Sequence, residues 1–223
     1  AISKASGKNG KITVTLSGKT EATLHASHIL VAVGRRPNLD SLDLDQAGIS
    51  YSKAGITTNP RLKTSNRRVF AIGDVSGRQQ FTHIAGYHAG IVIQNMLFRL
   101  PARVSENAVP WVTFTDPELA HVGMTMDMAK AAGYNPIQLI VPLAENDRAR
   151  AEKRTEGMVI AVTTKKGKIL GASILAPHAG EMIGTWSIAI KAKAKIKTMA
   201  AHIAPYPTYG EASKRAAGAF YTP

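Results

Sequence analysis

Two prolines, Pro101 and Pro110, bracket a polar stretch that reads as a linker, and the residue pattern changes across it. Before it, short apolar runs end at glycine. His28–Val33 (HILVAV) ends at Gly34, and Val69–Ile72 (VFAI) ends at Gly73-Asp74. Runs of that kind suit buried parallel strands. After it, shorter alternating segments dominate: strands are expected at 111–115, 137–142, 158–164 and 169–175, with Lys165-Lys166-Gly167-Lys168 as a hairpin turn. The expected fold is therefore an α/β portion followed by an α+β module with an antiparallel sheet. Further strands are expected at 11–17 and 21–24. Helices are expected at 84–100, 126–132, 181–196 and 209–219.

Composition narrows the function classes. The chain has 223 residues, enough for one or two domains with a real core. It has no cysteine, which excludes disulfides, thiolate metal sites and a cysteine nucleophile within these residues. It contains no apolar run long enough for a transmembrane helix, and its first ten residues lack the apolar core of a signal peptide. A cytoplasmic protein is expected. The net charge of +13 favours acidic partners. The densest basic stretch holds Lys191, Lys193, Lys195 and Lys197. On a helix, positions two apart share no narrow face, and no aromatics are interleaved to stack bases. It reads as the solvated end of a helix, and nucleic-acid binding is a weak alternative.

Several motifs fail on inspection. No G-x-G-x-x-G is present. Gly18-Lys19-Thr20 resembles the end of a P-loop, but Thr13 stands where the first glycine is required. His83 and His88 are five apart, which misses the i, i+4 spacing of a helical metal pair. No metal site is expected.

The most informative segment is Val69–Asp74. Ligands of parallel sheets bind beyond the carboxyl ends of strands. Gly73 permits close backbone approach, and the Asp74 carboxylate can accept from a sugar-like hydroxyl. The alternative is that Asp74 only caps the following turn.

VAVGRRPN at 31–38 and TSNRRVFAIGD at 64–74 resemble the flavoprotein pyridine nucleotide–disulfide oxidoreductases, the family of dihydrolipoamide dehydrogenase, glutathione reductase and mercuric reductase. The resemblance continues through VPWVTFTDPELAHVGMT at 109–125, TEGMVIAV at 155–162, APHAGEMI at 176–183 and PYPTYGEASKRAA at 205–217. It implies the carboxy-terminal half of such an enzyme. Residues 1–35 would be the tail of the NAD(P) domain, 36–108 the returning part of the FAD domain, and 109–223 the dimerisation domain. Both glycine-rich dinucleotide loops and the redox cysteine pair would lie outside the chain. The strands at 28–33 and 69–72 would then lack sheet neighbours and expose apolar edges.

The resemblance also implies site residues. Asp74, beside Gly73, would bond the ribityl chain of FAD. Thr82, His83 and Ala85 would open a helix whose amino end faces the flavin, where the helix dipole favours negative charge. Gly34 would border the cofactor. Most members carry a His before the second proline of the carboxy-terminal motif, and a later Glu orients it. Here those positions are Tyr206 and Glu211. Tyrosine has a pKa near ~10 against ~6.5 for His, so it suits a donor or acid better than a base. The alternative for Tyr206 is a structural tyrosine fixing a loop between prolines. Mercuric reductases resemble this segment, with Tyr there. They also carry a cysteine pair near the carboxy end, which this chain does not have. The long apolar segment at 178–196 would form a homodimer interface, and part of the +13 charge would be balanced by the missing half. The implied activity is electron transfer from NAD(P)H through FAD to a disulfide, metal or other acceptor, the chain alone being inactive. A stand-alone homodimerisation module is the rival.

Overall fold

The computed structural model describes residues 1–19 and 21–222. They form a mixed α/β structure with antiparallel sheets, divided into two compact units at residues 102 and 103.

The first unit opens with strands β1 (Ile2–Lys8), β2 (Lys11–Leu16) and β3 (Ala22–Ala26), paired antiparallel in the order β1-β2-β3. Asn9 and Gly10, both at positive φ, make the β1–β2 turn. Asn-Gly with two positive φ angles is the turn that matches strand twist. β1 is exposed along its whole length, so no alternation marks it in the sequence.

The run at 28–33 forms no strand. A strand exists only through a ladder partner, and none of the described residues pairs with it. Leu30 and Val33 are each 89% exposed. The chain is pinned just beyond, where the Arg35 guanidinium donates to the Gln80 carbonyl at 2.9 Å. The second expected strand, 69–72, is reduced to a bridge between Lys63 and Phe70, with the Ala71 amide donating to the Leu62 carbonyl at 3.1 Å. A two-stranded ribbon, β4 (Tyr51–Ser52) and β5 (Gly55–Ile56), and a small core of Leu44, Ile49, Ile56 and Ala71 complete this region.

Helix α1 (Thr82–Met96) buries Ile84, His88 and Ile91. That i, i+4, i+7 spacing is one face of a helix. It stops short of the expected Leu100. Arg99 takes a left-handed φ of 54°, and the Leu100 amide turns back to the Gln94 carbonyl at 3.0 Å.

The second unit is a five-stranded antiparallel sheet in the order β6 (Pro110–Thr113), β7 (Glu118–Gly123), β10 (Ile169–Ala176), β9 (Met158–Thr164), β8 (Pro136–Pro142). Four of these match the expected strands within about two residues at each end, and β7 is an addition. The Lys165–Lys168 turn is where it was expected, with the Gly167 amide donating to the Thr164 carbonyl at 2.8 Å. Helices α2 (Met126–Ala131) and α3 (Asp147–Ala151) are short. Helix α4 (Ala179–Lys191) packs on β6, β7 and β10 and buries Met182, Ile183, Trp186 and Ala189. It ends earlier than expected because Lys193 is left-handed, and the Ala194 amide closes onto the Ala189 carbonyl. The lysine-rich stretch is thus the exposed end of α4, a turn and the start of α5 (Ile196–Ala201). The last helix, α6 (Glu211–Gly218), packs on α5, β8 and β9. Among the described residues no helix is long and apolar enough to cross a membrane.

Candidate functional site

The first cluster is built around the glycine–aspartate turn. Ile72 is extended, and Gly73 then swings to φ 65° and starts a 3-10 turn, Gly73–Ser76. The turn packs on α1 so closely that a Cβ on Gly73 would sit 3.0 Å from the Ala85 Cβ. Two bonds fix it. The Gly73 amide donates to Nδ1 of the buried His88 at 3.1 Å, and the Ser76 hydroxyl donates to the Gly73 carbonyl at 2.7 Å. Gly77, also left-handed, closes it with its amide on the Asp74 carbonyl at 3.2 Å.

Asp74 is exposed on that turn. Thr82 and His83 are exposed at the start of α1, where Phe81 supplies no side-chain cap and the first turn carries no acid. The Phe81 and His83 rings stack at 5.1 Å. An exposed carboxylate thus stands on a turn packed against a helix whose amino end carries no carboxylate of its own. That pairing can take a polyhydroxyl chain and a ring that gains negative charge. Of the expected residues, Gly73 and Ala85 are in direct packing. Gly34 is exposed and packs against nothing in the cluster, while its neighbour Arg35 donates to the Gln80 carbonyl. His88 appeared in the sequence only as half of a failed metal pair. Its role as acceptor for the Gly73 amide has no sequence signal.

The second cluster lies in the other unit, on the segment 205–211. Tyr206 is 68% exposed, and its phenol donates to Asp147 Oδ2 at 3.1 Å. That bond and the Asp147 charge, with some burial and the Glu211 charge, hold the phenol above its ordinary range. It therefore stays protonated at neutral pH. Glu211 is half-buried in the first turn of α6. The segment is clamped from α3. Asn146 is buried, donates to the Thr208 carbonyl at 3.0 Å, and accepts from the Ala149 amide as the cap of α3. The Thr208 hydroxyl donates to the Pro205 carbonyl at 2.7 Å. Tyr209 is buried and donates to Glu152 Oε2 at 2.7 Å. Burial first, then that bond, raises the Tyr209 phenol, and the same bond with Arg148 lowers the Glu152 carboxyl. No site motif in the sequence singles out Asn146, Asp147, Glu152 or Tyr209. The Asn-Asp pair opening a short helix was the available signal for the first two.

One unit carries a glycine–aspartate turn packed on a helix start, and the other is an antiparallel sheet covered by one long helix. Two family models match: "Pyridine nucleotide-disulphide oxidoreductase" over residues 1–89 and "Pyridine nucleotide-disulphide oxidoreductase, dimerisation domain" over residues 109–217. The chain belongs to the pyridine nucleotide–disulphide oxidoreductase family. It is 37% identical over 216 residues to a mercuric reductase of Staphylococcus aureus, covering 96% of this chain and 39% of that protein. It is 38% identical over 208 residues to a dihydrolipoyl dehydrogenase of Geobacillus stearothermophilus, covering 92% and 44%. The structure of the HOCl-induced flavoprotein disulfide reductase RclA from Escherichia coli, as its Cu(II) complex, superposes with a TM-score of 0.87 at 28% identity, over 98% of this chain and 49% of that one. The chain spans about two fifths of the length of these curated relatives.

Proposed function

We propose that this chain supplies flavin-contacting and dimerisation parts of an FAD-dependent NAD(P)H oxidoreductase, which passes electrons from NAD(P)H through FAD to a disulfide, metal or other acceptor. The observation that carries the reading is the Gly73–Asp74 turn packed against the uncapped start of α1. These residues fit a flavin: Asp74 would accept from a ribityl hydroxyl, and the amides of Thr82 and His83 would face the ring. Ala85 would keep the turn in place, and Gly34 would border the site. Bound there, FAD would supply the hydride and electron chemistry.

The chain's own residues hold, orient and protonate. The Tyr206 phenol, kept protonated, is a hydrogen-bond donor or acid toward an acceptor, with Glu211 nearby. The 223 residues hold no thiol, so a dithiol step draws on sulfur from outside them. In this reading residues 1–35 close the NAD(P) domain, 36–108 return to the FAD domain, and 109–223 form the homodimer. The cytoplasm, which supplies NAD(P)H, is the compartment it implies.

Gel filtration with light scattering, with and without added FAD, tests the reading. A dimer carrying flavin absorbance, lost in Asp74→Ala, is the expected result. A dimer without flavin overturns the cofactor part and leaves an assembly module. A monomer without flavin overturns both.

A further inference from the structure

The family resemblance pairs Tyr206 with Glu211, but the hydrogen bond in the structure goes elsewhere. The Tyr206 phenol donates to Asp147 at the first turn of α3, while no hydrogen bond joins it to Glu211 among the described residues. The backbone position of Asp147, first residue of α3, is also set independently of the tyrosine. Asn146, next to it, is buried, caps α3 through the Ala149 amide and holds the Thr208 carbonyl of the tyrosine's own loop. One residue pair therefore sets both ends of the contact: Asn146 places the loop, and Asp147 receives its phenol.

We propose that Asp147 is the positioning residue for Tyr206, taking the part that Glu211 plays by resemblance. This rests on the proposed role of Tyr206 in proton delivery, and it deepens that role by naming the carboxylate that aims the phenol. A carboxylate accepting from the phenol fixes the direction of the O–H and stabilises the protonated form. Two acids act on Tyr206, Asp147 by hydrogen bond and charge and Glu211 by charge alone. Their ranking is what separates the two assignments.

The test reads the phenol itself in the 223-residue chain, without flavin. The protein is labelled with 3-fluorotyrosine, whose more acidic phenol titrates before alkaline unfolding. The Tyr206 resonance is assigned as the one missing from Tyr206→Phe. In Asp147→Asn the ¹⁹F midpoint is expected to fall, and to fall further than in Glu211→Gln. An unchanged midpoint in Asp147→Asn, or a larger fall in Glu211→Gln, overturns the proposal. Asp147→Ser is the second variant if Asn disturbs α3, and circular dichroism of each variant separates loss of fold from loss of the contact. Because no cofactor enters the measurement, failure here removes Asp147 alone. Failure of FAD to co-elute removes the flavoenzyme reading alone.

Discussion

Gly73 stands at φ 65° with the Ala85 methyl beneath it, so a side chain there meets both backbone strain and contact. The left-handed backbone alone costs a non-glycine residue about 1–2 kcal/mol. Gly73→Ala is therefore expected to destabilise the first unit by at least that much in urea unfolding followed by far-UV circular dichroism, and an unchanged midpoint would contradict the packing described. His88 offers a cleaner separation. Its Nδ1 accepts the Gly73 amide in a buried setting. His88→Leu keeps the bulk and removes the acceptor, which costs about 1–3 kcal/mol. His88→Gln retains an acceptor and is expected to lose less. Equal losses in the two variants would mean that volume, not the bond, is what His88 contributes. At this scale the sequence is uneven. Gly73-Asp74 stood out because glycine and aspartate abruptly end an apolar run. His88 did not, because the amide it satisfies is fifteen positions away and becomes its partner only when the turn folds onto α1.

At the scale of elements, the loop 205–211 depends on a helix of five residues. Asn146 caps α3 and holds Thr208, so Asn146→Ala removes a cap, worth about 1 kcal/mol, together with a buried bond of about 1 kcal/mol. A combined loss of about 2 kcal/mol is expected in thermal melts, and Ser, which keeps the cap but is too short for Thr208, should recover roughly half of it. The neighbouring Glu152 gives a pH dependence. Its carboxyl is lowered, first by the Tyr209 phenol and then by Arg148. A lowered acid contributes stability that is present above its ordinary value of 4.5 and is lost as pH falls through the folded value. Melting temperature is thus expected to drop on acidification from about pH 6 to about pH 3, and Glu152→Gln is expected to flatten that drop. An equally steep profile in the variant would assign the acid sensitivity elsewhere. Element by element, the second unit was the more legible. Its strands alternate or run apolar between clear turns, and each finds its partner within a few dozen residues. The runs at 28–33 and 69–72 have the composition of buried strands, yet a strand is a property of a pair. β1 was illegible for the opposite reason: it pairs well through Asn9-Gly10 but buries nothing, so hydropathy carries no trace of it.

For the molecule as a whole, the distribution of core decides which unit stands by itself. Among the largest fully buried side chains, Trp186, Leu143, Ile174, Ile183, Ile196, Val122 and Val159 all lie beyond residue 102, and Leu62 and His88 lie before it. The second unit has one continuous cluster running from its sheet through α4 to α6. Within that cluster the buried Trp186 indole also finds an acceptor, donating to the Ser213 hydroxyl at 3.1 Å. The first unit relies on a small cluster and leaves Leu30, Val31 and Val33 in solvent. Residues 103–223 expressed without the first unit are therefore expected to fold. Their tryptophan fluorescence should show a cooperative urea transition at the midpoint that the same signal gives in the whole chain. Trp186→Phe with Ser213→Ala in that piece identifies the reporter, because the remaining tryptophan, Trp111, lies on the edge strand β6. A piece that is unfolded, or whose midpoint falls well below that of the whole chain, would show that the second unit draws stability from the first. An unaltered midpoint would show the second unit to be self-sufficient, its stability carried by its own core.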